Sequence, residues 1–343
     1  MHGIMMAMSN IHFFDVIDHD APALKQLSAE LLPDHQVSFH PGPVTLQPDA
    51  TIISPFVTST VSAKLIAGMP QLGLIACRST GYDNVDLKAA AAHDVRVCNV
   101  PSYGENTVAE YGFGLLLALT RKIPPAITQL RSGNTSHDAL RGIDLMGKTL
   151  GILGAGRIGC HMAQIAGGFG MKVIAFDAYP DSKRAKQYNF TYQTQDEVLA
   201  GADILSLHVP NLPETKHLLN AAALAKMKTS AIIINTARGE VIDTRALIDA
   251  LTTGRIAGAA LDVVEGEEIA SLDAELDLLR AKTTDRLVLE RNLEIATLQK
   301  LPNVILTNHN AFNTVEAVGR INRTAVENIA AYLRGQPVNE VKA

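Results

Sequence analysis

The sequence predicts an α/β fold of parallel sheets covered by helices, arranged in two units. Three observations carry this. The chain has 343 residues, enough for two domains at roughly 100–200 residues each. Apolar residues make up 47 % while aromatics are 5 % and Trp is absent, so Val, Ile, Leu and Ala must fill the cores. Such aliphatics suit strands buried on both faces. From residue 149 onward, short apolar runs alternate with stretches of helical period, the pattern of βαβ units.

The elements follow in order. In the first hundred residues, apolar runs at 11–16, 51–54, 74–76 and 95–99 are candidate strands, with helical stretches at 22–31 and 85–93. This predicts a smaller α/β unit. Residues 106–121 are densely apolar and form a helix with Asn106 available as N-cap, placed to link two domains. The central strands are predicted at 149–154, 172–177, 202–208, 231–236, 256–263 and 303–309, with helices such as 158–169 and 244–253 between them. Right-handed crossovers put those helices on both faces of one sheet. Residues 265–301 break the alternation with many charges and leucines at helical spacing, and read as a solvated amphipathic excursion of one or two helices. A strong helix over 314–334 ends at Gly335 and Pro337.

Charge and cysteine content narrow the function classes. Lys plus Arg is 30 and Asp plus Glu is 35, and a net charge of −5 argues against a dedicated nucleic-acid or anionic-membrane binder. Cys77, Cys98 and Cys160 form no CxxC and cannot all pair, which fits a reducing cytosol. Residues 1–8 lack the charged and long apolar regions of a signal peptide. The longest apolar stretch, 108–119, contains Glu110 and is too short to span a bilayer. The expectation is a soluble cytoplasmic protein without a metal centre.

The most specific motif is L-G-I-L-G-A-G-R-I-G at 150–159. Gly154, Gly156 and Gly159 form G-x-G-x-x-G directly after a strand, with Arg157 and Ile158 opening a helix. Such glycines allow a tight turn, close approach of a pyrophosphate and close packing of helix on strand. The helix N-terminus favours the anion. The next strand ends at Asp177, whose carboxylate can accept from a ribose diol and would repel a 2′-phosphate. Together these predict a dinucleotide, NAD rather than NADP, although Lys183 and Arg184 stand nearby.

Ligands of open parallel sheets bind beyond the carboxyl ends of the strands. There the sequence places His208-Val209-Pro210, then 235–239 with Arg238, then Asp262 with Glu265 and Glu267, then Asn308-His309-Asn310. Arg238, His309 and one of Glu265 or Glu267 can form an acid–base site. A histidine titrates near neutrality, a carboxylate beside it raises its pKa, and an arginine can grip a carboxylate bidentately.

These motifs resemble the NAD-dependent D-isomer-specific 2-hydroxyacid dehydrogenases, especially D-lactate dehydrogenase-like members. The resemblance spans nearly the whole chain. It includes R-S-T-G-Y-D-N-V-D at 78–86, N-V-P-S-Y-G-E-N-T-V-A-E at 99–110 and S-L-H-V-P-N-L-P-E-T-K-H-L-L-N at 206–220. It continues through I-N-T-A-R-G-E-V-I-D at 234–243, L-D-V-V-E-G-E at 261–267 and H-N-A-F at 309–312. It implies two doubly wound parallel-sheet domains. A Rossmann nucleotide-binding domain, 106–313, would be inserted into a discontinuous flavodoxin-like substrate domain, 1–105 and 314–343.

The resemblance also implies roles. Arg238 would bind the substrate carboxylate and carbonyl oxygen, His309 would be the acid in reduction, and Glu267 would pair with it. Ser79, Thr80 and Gly81 would offer N–H groups to the carboxylate, and Tyr103 and Phe312 would border the substrate. His208, Val209, Pro210, Thr236 and Ala237 would line the cofactor cleft, and Asp262 would contact the nicotinamide amide. The implied reaction moves hydride between NAD(H) and a small 2-keto or D-2-hydroxy acid, pyruvate and D-lactate first. Alternatives are glyoxylate or hydroxypyruvate, a branched or aromatic 2-keto acid, and 3-phosphoglycerate, for which only Arg78 supplies a cation. A non-catalytic NAD(H)-sensing protein is the rival from another class. The family implies a homodimer and the 106–121 helix as one of its contacts. Asn308 stands where proline commonly precedes the histidine, and Val264 where an aromatic is frequent.

Overall fold

The computed structural model describes residues 8–267 and 286–341. The chain divides into two compact units, one formed by Met1–Gly104 with Asn313–Ala343 and the other by Glu105–Phe312. The first begins with β1 (Asn10–Phe13), α1 (Ala21–Leu31), β2 (Gln36–Phe39), β3 (Ile52–Ser54), α2 (Ala63–Ala67), β4 (Leu74–Ala76), α3 (Leu87–Ala92) and β5 (Arg96–Cys98). The second opens with α4 (Glu105–Thr120) and α5 (Ile123–Arg131). It continues through β6 (Thr149–Leu153), α6 (Arg157–Gly168), β7 (Lys172–Phe176), α7 (Ser182–Gln187), β8 (Thr191–Tyr192), α8 (Gln195–Gly201) and β9 (Ile204–Leu207). Then come α9 (Ala221–Lys226), β10 (Ile232–Asn235), α10 (Thr244–Thr252), β11 (Gly258–Leu261), α11 (Arg286–Lys300) and β12 (Val304–Leu306). Helix α12 (Val315–Leu333) returns to the first unit.

Both sheets are wholly parallel. The first unit orders its strands β2-β1-β3-β4-β5 and the second β12-β11-β10-β9-β6-β7-β8. In the second, strand order reverses at β6 and β9, which opens the crevice where doubly wound sheets bind ligands. The central strands β9, β10 and β11 are buried along their length, as aliphatic runs between two helical layers should be. One aliphatic core packs α8, α9, α10 and α11 against the sheet, and another packs α4 and α6 against its opposite face. In the first unit, Val326, Ile329 and Ala330 of α12 join Ile11, Phe13, Leu24 and Leu74 in one core.

Three expectations need correction. Strands β2 and β8 were not anticipated. Their residues are half-exposed at sheet edges and lack an apolar run. Helix α4 begins at Glu105, so Asn106 sits in its first turn and donates to Glu110 at 3.0 Å instead of capping. The described part of the 265–301 segment is not a solvated excursion. Helix α11 buries Ile295 and Leu298 completely, together with Asn292 and Glu294, because it packs into the sheet core. Residues 268–285 of that segment lie outside the described residues.

Candidate active site

The site grows from the ends of six adjacent strands of the second unit, β12-β11-β10-β9-β6-β7. After β6 the chain enters the glycine turn. Gly154 has φ +94, and a Cβ there would lie 2.6 Å from the His208 carbonyl. A Cβ on Gly159 would fall on the Gly154 carbonyl. Gly156 meets nothing within 4 Å, so the space above the turn is open. The N–H groups of the first turn of α6 point there without intrahelical acceptors. Asp177, after β7, accepts from Ala155 N–H and Tyr179 N–H, both at 2.8 Å, which fixes the carboxylate beside the turn. Arg157 pairs with Glu105 at 3.4 Å, and Ile158 packs into the core.

Beyond β9, His208 Nε2 is 2.8 Å from Ser206 Oγ, and its Nδ1 is shielded from solvent without a hydrogen-bond partner. Burial pushes this imidazole down to about 3, so the ring is neutral. Val209 packs on the core and Pro210 is exposed. Thr236 is buried, and its hydroxyl likewise has no partner. Two unsatisfied buried polar atoms on neighbouring strand ends, beside an open glycine turn, are what a polar ligand entering this crevice would satisfy. The residues therefore fit a dinucleotide: the turn for the pyrophosphate, Asp177 for the adenosine ribose, and 208–210 with Thr236 and Ala237 along the cleft.

The next strands carry the ionisable groups. Asn235 is fully buried at the end of β10. Its side chain takes Ala237 N–H at 3.0 Å and donates to the Arg238 carbonyl at 2.9 Å, shaping the loop that presents Arg238. The guanidinium donates to the Ala237 carbonyl at 2.7 Å. Gly239 then presses on the next loop so closely that a Cβ would fall on the Val264 and Glu265 backbone. Arg238 thus stands directly beside the 264–267 loop.

His309 Nδ1 lies 2.7 Å from Glu267 Oε1, with the other carboxylate oxygen taking Val264 N–H at 3.1 Å. The Phe312 ring sits edge-on to the imidazole at 6.4 Å. Of the two candidate glutamates, the structure pairs Glu267 with the histidine. Glu265 is buried and engages His217 and Arg291 instead. Asp262 has a second role that its sequence position did not suggest. Its fully buried carboxylate takes Thr307 Oγ at 2.5 Å, Asn310 N–H at 2.9 Å and Ala311 N–H at 2.8 Å, while its carbonyl takes His309 N–H at 2.9 Å. The aspartate brackets the turn that holds His309.

In the first unit, Ser79 and Thr80 turn their hydroxyls onto the carbonyls of Gly81 and Val100, each at 2.6 Å. The backbone N–H groups of 79–81 have no acceptor among the described residues. Tyr103 also lies in this unit. Arg78 is no surface cation for a phosphate. It is 1 % exposed, donates to the Phe14 carbonyl and to Asn322 Oδ1 at 3.3 Å, and stacks 4.7 Å from the Phe56 ring centre. No cluster of metal-ligating side chains occurs among the described residues. Sequence reading placed Asn235 at its strand end but gave it no role, and it gave none to Thr307 or Arg291. Only the first offered a signal, a buried-strand asparagine three residues before Arg238.

Comparison with known proteins points to the family that the sequence motifs resemble. Residues 113–311 match the family model for the NAD-binding domain of D-isomer specific 2-hydroxyacid dehydrogenases. The chain is 38 % identical over 302 residues to a 2-hydroxyacid dehydrogenase homolog of Schizosaccharomyces pombe, covering 87 % of each. The pyruvate reductase of Chlamydomonas reinhardtii superposes with a TM-score of 0.84 at 33 % identity, covering 97 % of this chain and 98 % of that one. The D-lactate dehydrogenase of Aquifex aeolicus in complex with NAD and lactic acid superposes with a TM-score of 0.83 at 33 % identity, covering 95 % and 96 %.

Proposed function

The chain belongs to the D-isomer specific 2-hydroxyacid dehydrogenases, with NAD as cofactor, and from that premise we propose that its own reaction interconverts pyruvate and D-lactate. The observation that carries the chemistry is the 2.7 Å contact of His309 Nδ1 with Glu267 Oε1 at the sheet edge that holds the glycine turn. Similarity to a pyruvate reductase and to a lactate-bound dehydrogenase over nearly the full chain supports pyruvate.

When bound, NAD(H) would supply the hydride chemistry, exchanged at the substrate's carbonyl carbon. The rest belongs to side chains. Glu267 holds Nδ1–H and stabilises the imidazolium, so Nε2 is the atom that gives its proton to the carbonyl oxygen. Arg238 offers a planar fork to the substrate carboxylate and polarises the adjacent carbonyl. The N–H groups of 79–81 would also offer donors to the substrate carboxylate, as the family resemblance implies. Phe312 would border the substrate through its contact with the His309 ring, and Tyr103 would border it as well. Asp262 would act by bracketing His309, its buried carboxylate being taken up by Thr307, Asn310 and Ala311.

A homodimer is part of this reading. Helix α5 buries none of its residues, and Ile123, Ile127 and Leu130 stand 45 %, 47 % and 68 % exposed along one face. A second copy is the fitting cover for such a stripe. Light scattering that returns a monomer would contradict this. A cytoplasmic location is supported by three buried cysteines that are all free. No helix among the described residues is long and apolar enough to cross a membrane.

The function is tested by NADH oxidation with pyruvate, glyoxylate, hydroxypyruvate, and branched and aromatic 2-keto acids, with chiral analysis of the product. Pyruvate should have the highest kcat/KM and yield D-lactate. Preference for another acid overturns the substrate. NADH binding without turnover on any of them overturns the reaction.

A further inference from the structure

We propose that Arg291, on α11, is a positioning residue that braces the 265–267 turn and thereby holds Glu267 against His309. This rests on the His309–Glu267 proton-transfer reading, and it gives the 265–301 segment a part in the reaction. Three contacts converge on the turn. Arg291 Nη2 pairs with Glu265 Oε1 at 3.0 Å, two residues before Glu267. His217 Nε2 reaches the same oxygen at 3.1 Å from the loop after β9. Between the two glutamates, Gly266 has φ +82, and a Cβ there would lie 2.8 Å from Arg291 Cγ and 2.9 Å from Cδ. The arginine stem therefore lies flat on the turn while its head ties down one end.

The arginine is itself held. Nη1 pairs with Glu294 Oε2 at 2.6 Å, one turn along α11, and Arg245 of α10 approaches Glu294 at 3.8 Å. Glu265 and Glu294 are 9 % and 11 % exposed and Arg291 19 %, so the pairs are screened little by water. Among the described residues, the charged groups around the turn are His217 after β9, Arg238 after β10, Asp243 and Arg245 at the start of α10, Arg291 and Glu294 of α11, and Asp262 with His309 at the ends of β11 and β12. Arg291 is the group that contacts both the carboxylate at the head of the turn and the glycine at its centre. Without it, Glu265 is a buried carboxylate facing only a histidine, and the turn loses its register. Glu267 Oε1 then leaves Nδ1, and the ring loses the hydrogen bond that orients it.

The experiment measures pyruvate reduction by Arg291→Met, Arg291→Lys and Glu265→Gln across pH, with NADH affinity and Tm alongside. In Arg291→Met, kcat should fall about 10–100-fold, as displacement of a reacting group by an ångström does, with NADH affinity unchanged. The pH at which reduction fails should move the same way as it does in Glu267→Gln, because both changes take the carboxylate from the imidazole. Arg291→Lys should recover part of both effects, because an ammonium restores one ion pair and the stem. Glu265→Gln should shift kcat and the pH limb in the same direction by less. An unmoved pH limb in folded Arg291→Met overturns the brace. Should that variant not fold, a pH limb left unmoved by both Glu265→Gln and Arg291→Lys overturns it equally. Glu267→Gln separates the two levels. If it leaves the limb in place, the proton-transfer reading has failed. If it moves the limb and the Arg291 and Glu265 variants do not, only the brace has failed.

Discussion

His309 has φ +54, a left-handed conformation that costs a non-glycine residue energy and persists where the surroundings over-determine it. The surroundings are four hydrogen bonds to one buried aspartate and a carboxylate on the ring. A side chain held this firmly suits proton transfer, and His309→Asn should lower kcat by about 10²–10⁴-fold with NADH affinity retained, as loss of a general acid does. Stopped-flow single turnovers would show it; a kcat within twofold of the parent rules His309 out. Arg238→Lys keeps the charge and loses the fork, so KM for pyruvate should rise and kcat fall together. His208 makes a different prediction, on stability. Its folded pKa is about 3 against 6.5 for a free imidazole. Below pH 6.5 the unfolded chain binds a proton that the folded chain refuses, so stability drops as pH falls from 6.5 toward 3. The slope contributed is up to about 1.4 kcal/mol per pH unit. Melting curves between pH 7 and 5 should flatten in His208→Gln, and identical slopes would refute the assignment.

At the level of elements, the glycine turn separates folding from ligand binding. Gly154 needs its φ of +94 and its close approach to His208, so Gly154→Ala should lower Tm and NADH affinity together. Gly156 has φ −71 and open space around it, so an alanine fits the protein and intrudes only on the ligand. Gly156→Ala should keep its Tm and weaken NADH by at least about tenfold, or 1.4 kcal/mol, in titration calorimetry. Unchanged affinity would place the pyrophosphate elsewhere. The same contrast explains what was legible in the sequence. Strands β6, β9, β10 and β11 are buried between helical layers, so they stand out as mainly apolar runs. Glycines 154, 156 and 159 were legible because each answers a backbone demand. Strands β2 and β8 were not, since edge pairing needs no apolar pattern. Helix α11 was misjudged for the opposite reason. Its Asn292 and Glu294 are buried polar groups, and Glu294 pairs not only with Arg291 on its own helix but with Arg245 of α10, far away in sequence. The bracket that Asp262 places on 307–311 was hidden in the same way, because a run of residues does not reveal which side chains will face one carboxylate 45 positions earlier.

For the whole molecule, chain continuity and structural continuity differ. The Glu105–Phe312 unit is one unbroken stretch whose two cores draw only on its own residues. The other unit needs both ends of the chain. Ile321, Val326 and Ile329 of α12 are at most 1 % exposed, the last two in the core with Ile11 and Leu74. Burying three such side chains contributes roughly 4.5–9 kcal/mol. That is comparable with the whole net stability of a domain, about 5–15 kcal/mol. A fragment of residues 105–312 should therefore fold, melt cooperatively and bind NADH on its own, whereas a fragment of residues 1–104 should not fold until a peptide spanning 313–341 is supplied. Circular dichroism melts and NADH fluorescence on the two fragments decide it. A cooperative melt of 1–104 alone would show that α12 is a cover and not a structural part. Failure of 105–312 to bind NADH, while folded, would mean that the cofactor takes an indispensable contact from outside the stretch that carries the glycine turn.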